Sequence, residues 1–237
     1  MVYQIFYCWL SFLFLFMPHF ASHSEENYLK ALYSLSTKDI RKLNNVALAK
    51  AMGLNPATVL EMVRKLSVRN LVEVKSDKSI MLTEKGKKKA LLIIRRHRLW
   101  EVFLVEKLQY KWNEVHELAE QLEHIESTDL IDRLEFFLGH PSFDPHGDPI
   151  PDKSGRIKLN ASIPLSSCQK GKNYQVVNLA ETNDDFLAYL GKLEIAPGTR
   201  IRIIDHHAYD HSFTIRVNKK PVQLSDKVAR NILVNPA

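Results

Sequence analysis

The chain has 237 residues, 45% hydrophobic and 25% charged, with a net charge of +6 and a pI of about 9.2. These are the proportions of an ordinary folded protein, and the basic balance permits an anionic partner. Two cysteines, Cys8 and Cys168, exclude a disulfide scaffold and any Cys-pair metal motif.

From Met1 to Ser22 there is no Asp, Glu, Lys or Arg, and residues 5–17 are apolar but for Ser11. That length is near the lower limit for a membrane span. A signal peptide would need a positive n-region and a small-residue cleavage site, and both are missing. Residues 1–23 therefore read first as lying upstream of a true start near Ser24, second as an anchor, and last as an export signal. The ranking rests on residues 24–237, which read as a cytosolic module.

Residues 24–90 read as a DNA-binding head. Ser24-Glu25-Glu26 has the form of a helix start, with a capping serine and acids in the first turn. Tyr28, Leu29, Leu32, Tyr33 and Leu35 then recur at helical spacing. A second helix is expected over 45–52, ended by Gly53, and a third opens at Asn55-Pro56, a cap followed by a proline at the first position. Two short strands, 71–74 and 80–83, flank a polar tip and form a hairpin. Helix, turn, capped helix and hairpin make a winged helix-turn-helix. Asn55, Ala57, Thr58 and Glu61 would face the groove, where small and amide side chains read base edges. Arg64, Lys65, Lys78 and the basic run at 85–89 would meet phosphates.

Residues 91–140 read as a helical region for metal binding and pairing. Leu91, Leu92, Ile93, Ile94, Leu99, Trp100, Val102, Phe103, Leu104 and Leu108 are too dense for a one-sided helix. One side can cover the head, and another can pair with a second copy. In a helix, residues three and four apart share a face. His97 and Glu101 are then neighbours, as are His116, Glu120, Glu123 and His124. Imidazoles and carboxylates without thiolates suit Mn²⁺ or Fe²⁺. A last helix starts at Ser127-Thr128-Asp129 and stops at Gly139-His140-Pro141.

Residues 141–171 read as a Pro-rich linker. In 172–237, short alternating strands at 174–179, 200–205, 212–217, 220–224 and 229–233, with a helix over 184–190, suit a small β-barrel. His206, His207 and His211 read as surface hairpin residues. No Ser/His/Asp set, phosphate loop, dinucleotide glycine pattern or H-E-x-x-H motif is present. A metal-dependent hydrolase is then only a remote alternative, and the chain is expected not to be an enzyme.

Several local strings, in this order, resemble the diphtheria-toxin-repressor family, in particular its manganese-transport-regulator branch. They are Ser24-Glu25-Glu26-Asn27-Tyr28-Leu29-Lys30, Asn55-Pro56-Ala57-Thr58-Val59, Leu82-Thr83-Glu84-Lys85-Gly86, Arg96-His97-Arg98-Leu99, Val115-His116, Glu120-Gln121-Leu122-Glu123-His124 and Pro145-His146-Gly147-Asp148-Pro149-Ile150-Pro151. The resemblance spans residues 24–237. It implies a mainly α fold with β: an N-terminal winged helix-turn-helix, a helical metal-binding and dimerisation domain, and an SH3-like barrel, whose turn Ile195-Ala196-Pro197-Gly198 matches. It implies a repressor of metal-homeostasis genes, activated by Mn²⁺ or Fe²⁺, acting in the cytoplasm as a homodimer on palindromic double-stranded operator DNA; the nearest alternative is an iron-dependent repressor of iron uptake. One metal site maps onto Asn27, Glu120, Glu123 and His124. A second maps onto His97, Glu101 and His116, with an acid of the β module, Glu181, Asp184 or Asp185, to complete it. Glu120 stands where iron sensors often carry Cys, which favours a harder metal. Asn27 and Lys30 depart from the usual pattern of Met or Asp and of a second acid.

Overall fold

The computed structural model describes residues 18–37, 43–157 and 161–237; the apolar leader up to residue 17 lies outside them. The described residues form two compact units, one holding those up to Arg95 together with Pro151–Arg156, the other holding those of Arg96–Ile150 and Ile157–Ala237.

In the first unit, α1 (Pro18–Thr37), α2 (Asn45–Met52) and α3 (Pro56–Val68) are followed by the hairpin β1 (Val72–Val74) and β2 (Ile80–Leu82). Ser24 does not cap α1: the helix begins at Pro18. Proline is tolerated in a first turn, and nothing between it and Ser24 breaks a helix. Asn44 caps α2, accepting from the Ala47 N–H at 3.0 Å, and Gly53 ends it at φ +65°. Asn55 caps α3, accepting from the Ala57 N–H at 2.8 Å. Tyr28, Leu29, Leu32, Leu48, Val59, Val63, Leu66, Leu71 and Ile80 fill one core, joined by Ala90 and Ile93 of α4 (Glu84–Glu106). Gly86 is required there, because a Cβ at that position would lie 1.9 Å from the Leu71 carbonyl oxygen.

In the second unit, the C-terminal half of α4 places Leu99 and Val102 against Ile131, Leu134 and Leu138 of α6 (Thr128–Phe137) and its end. Leu104 meets Val115 and Ala119 at α5 (His116–Leu122). The dense apolar pattern of 91–104 thus serves several clusters along one helix. The β module comes next in the chain: β3 (Ile163–Pro164), a 3-10 turn (Leu165–Ser167), β4 (Asn173–Leu179), α7 (Asp184–Lys192), β5 (Arg200–His206), β6 (Phe213–Val217), β7 (Lys220–Leu224), α8 (Asp226–Asn231) and β8 (Ile232–Pro236). The strands form one antiparallel sheet in the order β3-β8-β4-β5-β6-β7. Alternate strand residues and Phe186, Leu187 and Leu190 of α7 close a single core. The strand expected at 229–233 begins only at Ile232, because Ser225 caps a short helix first, accepting from the Val228 N–H at 3.3 Å.

The Pro-rich segment around residues 141–151 is a folded loop. The Asp144 Oδ1 accepts the backbone N–H groups of His146 at 2.8 Å and Asp148 at 3.0 Å, and Phe143 bridges Pro149. Gly147, at φ +91°, lies so close to β4 that a Cβ would come within 2.2 Å of the Val177 carbonyl oxygen.

Candidate metal centre

In the second unit a cluster of titratable side chains surrounds the carboxylate of Glu101, which is buried on α4. His97, one turn earlier, sets Nε2 3.1 Å from Glu101 Oε1. Its other nitrogen, Nδ1, lies 2.6 Å from Glu123 Oε2 at the end of α5. His116 opens α5 and brings Nδ1 to 3.5 Å from Glu101 Oε1 and Nε2 to 3.6 Å from Glu120 Oε1. The i,i+4 relations His97/Glu101 and His116/Glu120 are the ones that helical spacing demands.

A third imidazole comes from the folded loop. His146 points Nδ1 at Glu101 Oε2, 3.7 Å away, and at Asp144 Oδ1, 3.9 Å away. Its Nε2 meets the Trp112 carbonyl at 2.9 Å. Arg98 flanks the loop, with Nε 3.4 Å from Asp144 Oδ2 and Nη2 3.1 Å from Asp148 Oδ2. Sequence reasoning assigned neither Asp144 nor His146 to the site. The available signal was an aspartate and a histidine two residues apart in Asp144-Pro145-His146-Gly147.

Three groups therefore have ligand atoms within 4.8 Å of one another: His97, Glu101 and His116; His97, Glu120 and Glu123; and Glu101, Asp144 and His146. Of the residues singled out in the sequence, His97, Glu101, His116, Glu120 and Glu123 come together. His124 belongs to the same unit and to none of these groups. Glu181 accepts from the side chains of Asn183 and Asn231 within the β module, and it too belongs to none of them. Asn27 lies on α1 in the first unit, where its buried Oδ1 has no hydrogen-bond partner among the described residues. His206 stacks on Phe213, and His207 bonds Thr214.

The charge balance is tight. Burial raises the Glu101 carboxyl, but hydrogen bonds from His116, His146 and His97 outweigh it and hold the group well below the usual carboxylate range. Burial, with Glu101 and Asp148 nearby, pushes Asp144 up to about 7. Burial would lower His146, yet Glu101 and Asp144 raise it to about 9. In the metal-free protein, raised His146 stabilises the fold fully below about pH 6.5 and stops doing so as pH rises through its folded value. Raised Asp144 acts in the same direction. Lowered Glu101 stabilises above about pH 4.5 and stops only as pH falls through its folded value. Melting in chelator is expected to be highest at about pH 4.5, where Glu101 contributes fully and the contribution of Asp144 has only begun to fall, and stability is expected to fall from there toward pH 9, by roughly 3 kcal/mol from His146 alone. A flat profile from pH 6 to 9 would contradict these charges.

The donors are imidazole nitrogens and carboxylate oxygens, buried or partly buried except for the exposed His116, with no thiolate in any group. Such a set fits a borderline to hard divalent cation, and hydrogen-bonded carboxylates and a carbonyl-anchored imidazole provide the outer support that metal ligands have.

In the first unit, Asn55, Ala57, Thr58 and Glu61 are exposed on or beside the N-terminal part of α3, and Arg64 is exposed further along it. Lys78 is exposed at the hairpin tip, with φ +66°. Lys65 is half-exposed and pairs with buried Glu25 at 3.1 Å, and Glu25 also takes Arg69.

Residues 21–80 match the iron dependent repressor N-terminal DNA binding domain, 83–152 the iron dependent repressor metal binding and dimerisation domain, and 163–236 the FeoA domain. The iron-dependent repressor IdeR of Mycobacterium tuberculosis is 35% identical over 191 residues, which are 75% of this chain and 82% of that one. The chain belongs to the iron-dependent repressor family. The diphtheria toxin repressor of Corynebacterium diphtheriae, another member, is 29% identical over 219 residues, 88% of this chain and 95% of that one. Among solved structures, a manganese-dependent transcriptional repressor in complex with manganese superposes with a TM-score of 0.78 at 31% identity, covering 90% of this chain and all of that one. The three matches follow one another along the chain as a winged helix, a helical region and an FeoA module.

Proposed function

We propose that this chain is a cytoplasmic repressor of metal-homeostasis genes that binds palindromic operator DNA as a homodimer and only when it carries Mn²⁺ or Fe²⁺. The observation that carries the reading is the buried Glu101 carboxylate ringed by His97, His116 and His146. When bound, the divalent cation supplies the positive charge that the four carboxylates Glu101, Glu120, Glu123 and Asp144 would otherwise draw from protons on themselves or on the three imidazoles. His97 and Glu123 tie the long helix to the end of α5, and His146 presents Nδ1 from the loop. His124 stays a candidate ligand beside Glu120 and Glu123. The absence of sulfur from the groups supports Mn²⁺ as the first choice, and relatives named for iron support Fe²⁺ as the second.

On the DNA side, Asn55, Ala57, Thr58 and Glu61 are suited to base edges, and Arg64, Lys78 and the lysines after Glu84 to phosphates. Lys65 would have to leave Glu25 to join them. Leu130, Phe136 and Phe137 of α6 leave apolar surface exposed, Phe136 at 75%. Covering it with a second copy gives two recognition helices, which match successive major grooves when about 34 Å apart. The cation favours the DNA-binding form only by binding it better than the free form.

The test is a DNA-shift titration on the protein's own promoter region with Mn²⁺, Fe²⁺, Zn²⁺ or chelator. Tight retardation is expected with Mn²⁺ or Fe²⁺ and loss of it in chelator. Equal retardation in chelator would overturn the reading.

A further inference from the structure

Trp112 touches His146 through both its main chain and its ring. Its main-chain carbonyl meets His146 Nε2 at 2.9 Å. A carbonyl only accepts, so Nε2 carries the hydrogen, and Nδ1 is the nitrogen turned toward Glu101 and Asp144. The indole stacks on the His146 ring, with centroids 5.8 Å apart and planes 28° from parallel. The same ring packs against the β-module core, and a Cβ on Gly191 of α7 would lie 3.6 Å from its Nε1. Leu187, Ala188 and Gly191 of α7 stand with Lys111, Trp112 and Asn113 around one open cleft, so the segment bearing the carbonyl lies along that helix.

We infer that Trp112 is a positioning residue for the cation site: its carbonyl selects the His146 tautomer, and its indole holds that carbonyl in place by anchoring it to the β module. A ligating histidine is commonly fixed by an acceptor on its other nitrogen, and losing such support typically weakens metal affinity about 10- to 100-fold. Here the support is a backbone atom, so it is lost only when the segment shifts. The indole is what prevents the shift. The FeoA module thereby acts on metal binding through this packing. The inference rests on the reading of His146 as a ligand.

The test compares wild type, Trp112→Ala, Trp112→Phe and His146→Ala by Mn²⁺ titration calorimetry and by imidazole NMR of the metal-free protein. An exchange-protected His146 Nε2–H resonance is expected in wild type and Trp112→Phe, and it should vanish in Trp112→Ala. Mn²⁺ affinity should fall about tenfold in Trp112→Ala and recover in Trp112→Phe, since a phenyl ring can still stack and anchor. A protected Nε2–H that persists in Trp112→Ala, or unchanged Mn²⁺ affinity there while His146→Ala weakens binding, would overturn the positioning role. Wild-type affinity in His146→Ala would instead remove the ligand reading, and the NMR signal would still judge the carbonyl–imidazole contact. If Trp112→Ala proves unfolded by circular dichroism, Trp112→Leu takes its place, with the same loss of the resonance expected.

Discussion

Glu101→Gln is expected to weaken Mn²⁺ binding by at least about 100-fold and to leave operator affinity in Mn²⁺ no higher than in chelator. Glu101 belongs to two of the three ligand groups and is approached by three imidazoles. Glutamine keeps the size and removes the charge, so packing around α4 survives while the field that draws a cation does not. The amide also places a donor where His97, His116 or His146 needs an acceptor. The exposed acid Glu114, paired with Lys111, is the matched control, and its change to Gln should leave binding unaltered. Titration calorimetry and the DNA-shift assay read the two effects separately. Wild-type Mn²⁺ affinity in Glu101→Gln would remove Glu101 from the site.

Gly147→Ala should both destabilise the protein and disable the loop. At φ +91° any side chain is strained, and the Cβ would lie 2.2 Å from the Val177 carbonyl oxygen and 2.8 Å from Asn178 Cα. Both are backbone atoms of β4, so the loop has to move rather than a side chain. Strain and clash together should lower unfolding free energy by about 3–4 kcal/mol. The movement takes His146, the preceding neighbour, away from Glu101, and it breaks the 3.1 Å bond from Asn178 to Asp148. Urea unfolding should show the lower stability and Mn²⁺ titration a weaker site. Wild-type values in both would mean that the loop is not held as described.

The helix-turn-helix was legible because its signals are local: Gly53 at a left-handed turn, Asn55 as cap, and Pro56 at the first position act within a few residues of themselves. The pairs His97/Glu101 and His116/Glu120 were legible because helical spacing alone makes them neighbours. Asp144 and His146 were not. Prolines made the segment read as a linker, whereas its burial comes from Arg98, Trp112 and β4, all distant in sequence. The start of α1 was misplaced because a serine followed by acids is a competent cap even where a helix runs through it. The late start of β8 had a signal, Ser225-Asp226, that the apolar run Ile232-Leu233-Val234 outweighed. Glu181 was chosen as an acid of the β module, and the partners it has here, Asn183 and Asn231, had no signal in the sequence.

Repression as proposed depends on a divalent cation held by side chains of α4, α5 and the loop after α6. A crystal grown with Mn²⁺, with anomalous difference maps recorded at the manganese edge, would locate that cation. Peaks are predicted within bonding distance of Glu101 and of Glu123, with His97, His116 or His146 nitrogens turned onto them. A map with no peak near Glu101 or Glu123, and with His97 still bonded to both carboxylates, would contradict it.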